Sequence, residues 1–440
     1  MKKRILNIIT LILAAFILIL GNCCAAKDTD FDHIGSTVDA IRNNFIHDIS
    51  QTQILNGGVS GLKKYLVFNK KDASFIKELS GAIGKNEQIN QAKELINKAV
   101  KDNTDLNKDE VLYSFIDGML NCLEDQFSAF LTPKEYKKLM EQMEGGGFGG
   151  LGVYIELDPA NNNALTVTKP IEGTPAYRAG LQKGDVITKI SGKPTKDMSI
   201  EESQLSMRGN VGTKVTLTIF RKKENRTFDV TITRAIIHTK SVSYDVIDNN
   251  IGYIKVDIFG ENTSNEIEDA LNYFDGKNIS GYILDLRDNG GGYIDSADSI
   301  CSKFMPTNSL ITSVKGRFVG EIKHISYPNS RQILPMAVLV NQYSASASEI
   351  TAGALKSVKV PLVGEKTFGK ATIQKIIPYP DGSAVKLTVA AYFTPDGKNI
   401  HKIGIEPDIL VTMDSSLEGS TEDTQLKKAL EIVKSKMGTT

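Results

Sequence analysis

Six of the eight residues from Gly145 to Gly152 are glycine. Each glycine gives up more backbone freedom on ordering than any other residue, so no regular helix or strand runs through such a tract. It divides the chain into two regimes. Before it, apolar residues recur at three- and four-residue steps (Val111-Leu112, Phe115-Ile116, Met119-Leu120, Leu123), the period of an amphipathic helix. Pro133 opens a further helical stretch, Lys134 to Met143. Residues 27–138 thus read as a helical region. Its polar tract, Lys85 to Asp109, carries charge on most faces and reads as solvated. After the glycines, short runs alternate with the period of strands: Val153 to Leu157, Leu165 to Thr168, Val186 to Ile190, Val215 to Ile219 and Val230 to Thr233. One helix, Ile200 to Met207, stands among them. The spacing predicts a compact domain over residues 139–235.

From Ile251 the pattern changes again. Apolar runs (Tyr253 to Ile258, Gly281 to Leu286, Ala337 to Val340, Pro361 to Val363) alternate with helical stretches (Ser264 to Phe274, Ile294 to Phe304, Ser348 to Leu355). Unbroken apolar strands separated by helices predict an α/β layer structure with both sheet faces covered. That domain spans 236–415, and a terminal helix, Glu422 to Lys436, lies within 416–440. The expected fold class is multidomain α+β.

Lys+Arg and Asp+Glu both total 52, so the net charge is zero, which gives no support for a nucleic-acid partner. The first 26 residues differ from the rest. Lys2-Lys3-Arg4 precedes an apolar run, Ile5 to Leu20, the pattern of an export signal. A cleaved signal, an uncleaved membrane anchor and a lipid link at Cys23 remain open; each places the folded part outside the cytoplasm. Cys122 and Cys301 leave one disulfide open. The histidines are scattered and no HExxH or CxxC pair occurs, so neither a metal nor another cofactor is expected.

Gly150-Leu151-Gly152-Val153 begins a strand. Glycines there let backbone N–H groups converge into a nest for an anion such as a peptide's terminal carboxylate. The peptide behind it can add as a strand to the exposed edge, with Leu205 of the Ile200–Met207 helix as an apolar wall. A plain glycine hinge is equally compatible with these four residues. The neighbouring segments Gly173-Thr174-Pro175-Ala176, Ala179-Gly180-Leu181, Gly184-Asp185-Val186-Ile187 and Ser191-Gly192-Lys193 resemble the PDZ signature of bacterial periplasmic proteases. That resemblance implies a small β-barrel-like domain with helices that binds C-terminal tails.

Asn341-Gln342-Tyr343-Ser344-Ala345-Ser346-Ala347-Ser348-Glu349-Ile350 lies between a strand and a helix. Small residues at such a turn let a hydroxyl project, and the helix N-terminus favours a developing oxyanion. A helix cap is the bland alternative. No GxSxG elbow or nearby histidine offers a base. A lysine deprotonated by burial can serve instead, and Lys370, in Thr367-Phe368-Gly369-Lys370-Ala371-Thr372-Ile373-Gln374, is the candidate. Here the chain resembles the carboxyl-terminal processing, or tail-specific, proteases. Other blocks carry the same resemblance: Gly281 to Gly292, Phe393 to Gly397, Gly404 to Asp408, and Asp125 to Leu131. It implies an α/β crotonase-like catalytic core with Ser346 as nucleophile, Lys370 as base and Gln374 in support. It implies an oxyanion hole built by backbone N–H groups, assigned to Gly291 and Ala347. The expected substrates are proteins or peptides with apolar C-terminal tails, without nucleic acid; a regulatory partner protein and a homodimer through the helical region are open.

Two departures stand out. The family often carries an acid eleven positions after the nucleophile, where this chain has Ser357. The 24 positions from Ser346 to Lys370 are one fewer than usual. A one-residue deletion in the Lys356–Pro361 loop accounts for both. The alternative functions are an inactive PDZ adaptor and a penicillin-binding acyl transferase. The latter's SxxK string occurs at Ser60–Lys63 and Ser74–Lys77, but its SDN and KTG partners are missing.

Overall fold

The computed structural model describes residues 32–143, 148–237 and 240–437. The basic head, the apolar run after it and Gly145–Gly147 lie outside the described residues. The described residues form two compact units: one of those through Tyr136 with Gln374–Thr388, the other of those in Lys137–Ile373 and from Val389.

The first region contains α1 (His33–Asn44), α2 (Gln51–Phe68), α3 (Lys85–Asp102), α4 (Lys108–Asn121), β1 (Ala129–Leu131) and α5 (Pro133–Met143). Ser50 and Gln53 form a reciprocal capping box that starts α2. Helices α2 and α4 cross at glycine: a Cβ on Gly61 would lie 2.7 Å from Gly118 Cα. That approach seals Ile54, Leu55, Leu62 and Leu66 against Val111, Phe115, Ile116 and Met119. The tract Lys85 to Asp109 is not simply solvated. Most of it forms α3, which buries Gln88, Ala92, Ile96 and Ala99. A one-residue-wide stripe suffices because the polar member is satisfied: Gln88 Nε2 donates to Thr52 Oγ1 (2.9 Å) and Ser80 O (3.0 Å).

The second region holds β2 (Phe148–Gly150), β3 (Val153–Asp158), β4 (Ala164–Pro170), α6 (Pro175–Arg178), β5 (Val186–Ile190), β6 (Lys193–Pro194), α7 (Ile200–Met207), β7 (Lys214–Arg221), β8 (Arg226–Thr233) and β9 (Ala235–Ile237). Its main sheet runs β3-β4-β5-β7-β8, with β6 on β5. Leu151, Val167, Ile187, Ile190, Leu217 and Ile219 fill its core. Buried Asp185 receives Nε and Nη2 of Arg221, both at 2.8 Å, which fixes the Gly184-Asp185 turn.

The third region comprises β10 (Val242–Ile247), β11 (Ile251–Val256), α8 (Thr263–Phe274), β12 (Gly281–Asp285), α9 (Ile294–Phe304), β13 (Leu310–Gly316), β14 (Gly320–Ile325), β15 (Met336–Val340), α10 (Ala347–Ser357), β16 (Leu362–Gly364), β17 (Thr372–Pro378), β18 (Ala384–Phe393), β19 (Ile409–Leu410) and α11 (Thr424–Met437). Its sheet has the order β10-β11-β12-β15-β16-β19, parallel from β11 onward. Successive strand residues serve opposite faces. Ile254, Leu284 and Val338 pack with α8, α9 and α10. Ile251, Ile283, Ala337 and Leu339 pack with Ala429 and Val433 of α11. Both faces are therefore covered, as apolar strands require. The carboxyl ends of β12 and β15 both open into loops, and the candidate chemistry lies there.

Candidate active site

Strand β15 ends at Val340, and the next six residues lead into α10 at Ala347. Of the three serines in this turn and the start of α10, two are fully buried and committed. Ser344 Oγ donates to Leu286 O (2.8 Å) and accepts from Asn341 N–H (3.0 Å). Ser348 Oγ donates to Asn289 O (2.8 Å). Ser346 alone is partly exposed. Its backbone sits at φ +58°, ψ −115°, a combination side-chain-bearing residues rarely adopt and that costs about 1–3 kcal/mol. Surrounding bonds hold it there. Ser346 N–H donates to Glu349 Oε2 (3.0 Å), and its carbonyl accepts from Glu349 N–H (2.8 Å) and Ile350 N–H (2.9 Å).

The loop after β12 lies against this turn. A Cβ on Gly291 would fall 2.7 Å from Ser346 Cβ and 2.9 Å from Ala347 N, and Gly291 has φ +100°. Only glycine lets the two backbones meet so closely. Asn289 joins them. Its carbonyl accepts Ala345 N–H (3.0 Å), its Nδ2 donates to Val256 O (2.7 Å), and its Oδ1 accepts Gly291 N–H (2.8 Å). Without substrate the Gly291 amide rests on Asn289, and the residue's lack of a side chain permits the close approach to the serine turn. Ala347 is the first residue of α10, so its N–H belongs to the amides without an intrahelical acceptor.

The loop carrying Lys370 is bolted to the serine turn by one carboxylate. Glu349 is fully buried. Beyond Ser346 N–H, its Oε2 accepts Lys370 N–H (2.8 Å), while its Oε1 accepts Gly369 N–H (2.7 Å) and Thr367 O–H (2.6 Å). Tyr392 O–H bridges the same two segments, 2.8 Å from Lys370 O and 3.2 Å from Ser346 O. Burial, with the nearby Glu349 charge, pushes the Tyr392 phenol well above its ordinary pKa of 10, so it remains a donor. A third tie runs from Phe368 N–H to Ser344 O (3.0 Å). The Gly404-Ile405 signature closes the arrangement from behind, with Ile405 N–H donating to Thr367 Oγ1 (2.7 Å). The backbones of Ser346 and Lys370 are thus brought together across 24 positions of sequence.

Gln374 falls in the other unit, where its Nε2 donates to Thr388 Oγ1 (3.1 Å). Ser357, at the position of the family's acid, donates to Ala354 O (2.7 Å) and finishes its own helix. Cys122 and Cys301 are free thiols, pushed up to about 11 and about 12 by burial. Glu349, Asn289 and Tyr392 were not singled out from sequence. Glu349 had a signal: Ser346-x-x-Glu349 has capping-box spacing.

In the second region, a cavity of about 230 Å³ is lined by Gly150–Ile155, Ile171, Gln204, Met207, Arg208 and Ile237. Gly150, Leu151, Gly152 and Val153 border it as expected. Leu205 does not: it is 61% exposed. Gln204 and Met207 lie one helical turn apart and face the cavity, while position 205 is rotated about 100° away. Gly152 has φ +72°, and a Cβ there would strike the Thr174 side chain at 2.3 Å.

Comparisons with known proteins bear on both regions. The model of peptidase family S41 matches residues 250–411, and that of the PDZ domain matches 149–232. A Bacillus subtilis protein named carboxy-terminal processing protease CtpA is 36% identical over 347 residues, covering 78% of this chain and 73% of its own length. A carboxy-terminal-processing protease of Bartonella bacilliformis is 37% identical over 309 residues, 69% of this chain and 70% of that one. Among solved structures, a photosystem II D1 C-terminal processing protease aligns with 26% identity and a TM-score of 0.46, covering 86% of this chain and 92% of that one.

Proposed function

Given that the chain belongs to the carboxy-terminal processing serine proteases of peptidase family S41, we propose that Ser346 is its nucleophile and Lys370 the general base. The observation that carries this assignment is the Glu349 carboxylate, which accepts the amide N–H groups of both Ser346 and Lys370. In the cycle, the uncharged Lys370 amine takes the Ser346 proton as Oγ attacks a peptide carbonyl. The tetrahedral oxyanion forms beside Ala347 N–H at the start of α10, where a positioned donor contributes about 3–4 kcal/mol. The C–N bond breaks as Lys370 returns its proton to the leaving amine. Water then hydrolyses the ester, with Lys370 again as base. Gln374 is proposed to support the pair. Ser346→Ala and Lys370→Ala should each abolish hydrolysis of a reporter peptide while circular dichroism stays unchanged. Wild-type turnover in either variant removes the assignment.

The PDZ cavity is proposed to hold the substrate's free C-terminal end, with its apolar last side chain against Met207 and the peptide backbone alongside β3. Amidating the terminal carboxylate of a substrate is expected to raise KM. Equal KM for both forms excludes this role. The N-terminal segment is proposed to export or tether the protein, so that the peptidase works outside the cytoplasm; protease accessibility on intact cells tests the placement. Control by a partner protein and pairing of two copies through the helical region belong to the same proposal.

A further inference from the structure

The family match ends at residue 411, but the chain continues, and the continuation reaches back to the glycine loop. Asp423 caps α11. Its Oδ1 accepts Leu426 N–H (2.8 Å) and its Oδ2 accepts Gly419 N–H (3.0 Å). The same carboxylate meets Arg287, with Oδ1 3.2 Å from Nη1 and Oδ2 3.0 Å from Nη2. Arg287 and Asp423 are each only 1% exposed. On its other side the guanidinium reaches Asp285 through Nη2 (2.6 Å) and Nε (3.0 Å), and Nη1 also donates to Gln425 Oε1 (3.1 Å). Each of the three guanidinium nitrogens therefore donates to a buried acceptor.

Burying such a cluster is a poor route to stability, because its desolvation cost rivals its attraction. Its distinctive product is direction: five bonds fix one side chain, and with it the main chain at position 287. That position is two residues before Asn289, which accepts Ala345 N–H and Ser348 O–H from the serine turn and Gly291 N–H from its own loop. We infer that Asp423 is a positioning residue of the peptidase. Through Arg287 it sets the loop that lies against Ser346, so the segment beyond the matched family region is part of the catalytic apparatus. The inference rests on the assignment of Ser346 as nucleophile.

Asp423→Asn is the informative variant, because Asn caps helices as well as Asp does yet loses the charge facing Arg287. With a reporter peptide, kcat per titrated active site should fall about 10–100-fold, since displacement of an oxyanion environment by fractions of an ångström acts at the transition state. KM should stay within about twofold, and affinity for a peptide-aldehyde transition-state analogue should fall by the same factor as kcat. Gln425→Met, a milder change on the same guanidinium, should give a smaller loss with the same split. Unchanged kcat and aldehyde affinity per active site in folded Asp423→Asn overturn the inference, even if melting temperature drops. Should Asp423→Asn not fold, unchanged values in Gln425→Met overturn it equally. Mapping the aldehyde adduct in the wild type separates the two levels: attachment elsewhere than Ser346 defeats the nucleophile assignment itself.

Discussion

Glu349→Gln probes the join between the serine turn and the lysine loop with almost no change of shape. Four donors converge on the carboxylate: the amides of Ser346, Gly369 and Lys370 and the hydroxyl of Thr367. An amide offers one acceptor oxygen and one NH2. With its oxygen toward Ser346 and Lys370, two bonds survive, and the Thr367 hydroxyl can rotate to accept. Gly369 N–H then faces another N–H. One orphaned buried amide costs about 1–3 kcal/mol. The two surviving bonds lose charge assistance, worth about 1 kcal/mol each. The opposite orientation orphans two amides and is worse. The total, about 3–5 kcal/mol, is a large share of the roughly 5–15 kcal/mol that holds a typical domain together. The variant should therefore fold with a lowered Tm. Its two loops should separate slightly, and a misplacement of about 1 Å costs on the order of 100-fold in rate. Peptide hydrolysis measured well below the variant's Tm, with kcat and KM resolved, reads this directly. A folded Glu349→Gln enzyme with kcat within about twofold of wild type refutes the reasoning.

Gly291→Ala places a methyl 2.7 Å from Ser346 Cβ, so kcat should drop about 100-fold with the fold intact by circular dichroism; unchanged turnover means the loop is not held against the serine. Gly152→Val forces a Cβ into the Thr174 side chain at φ +72°, and should raise KM for tail-bearing substrates while sparing kcat on a short peptide without a free tail. Burial opposes ionisation of Asp423, yet the Arg287 hydrogen bond and the N–H groups of Leu426 and Gly419 outweigh it and hold its pKa below 3.8. A lowered folded pKa contributes stability that is present above the unfolded value and lost as pH falls through the folded one. The urea-unfolding difference between wild type and Asp423→Asn should be constant near neutral pH and shrink below pH 3.8; a gap that widens in acid contradicts the sign.

The chemistry-bearing motifs were legible because each needs particular residues next to one another. The serine turn, the Phe368-Gly369-Lys370 run and the glycine loop all announce themselves locally. What joins them was not legible. Glu349 reads as an ordinary first-turn acid of α10, and only the fold brings Thr367, Gly369 and Lys370 to its carboxylate. Tyr392 sits in β18, whose Ala384–Phe393 run carries no alternation to mark which side faces the site. Asp423 falls inside the terminal helix that the sequence places at Glu422 to Lys436, and nothing local reveals Arg287 beneath it. In the PDZ domain, α7 was placed correctly, but its inward face was not. Leu205 is the more hydrophobic choice, yet the helical phase set by Ser199 and Glu202 turns Gln204 and Met207 inward. The buried face of α3 is hidden by composition, since its stripe includes a glutamine whose bonds lie 8 and 36 residues away.

Acyl transfer to one hydroxyl is best observed directly. Mixing the protein with an activated peptide ester, quenching in acid and mapping the adduct by mass spectrometry should place the acyl group on Ser346 in the wild type. No adduct should form in Ser346→Ala or in folded Lys370→Ala. An adduct on another side chain, or full acylation of Ser346 at the wild-type rate without Lys370, contradicts the account.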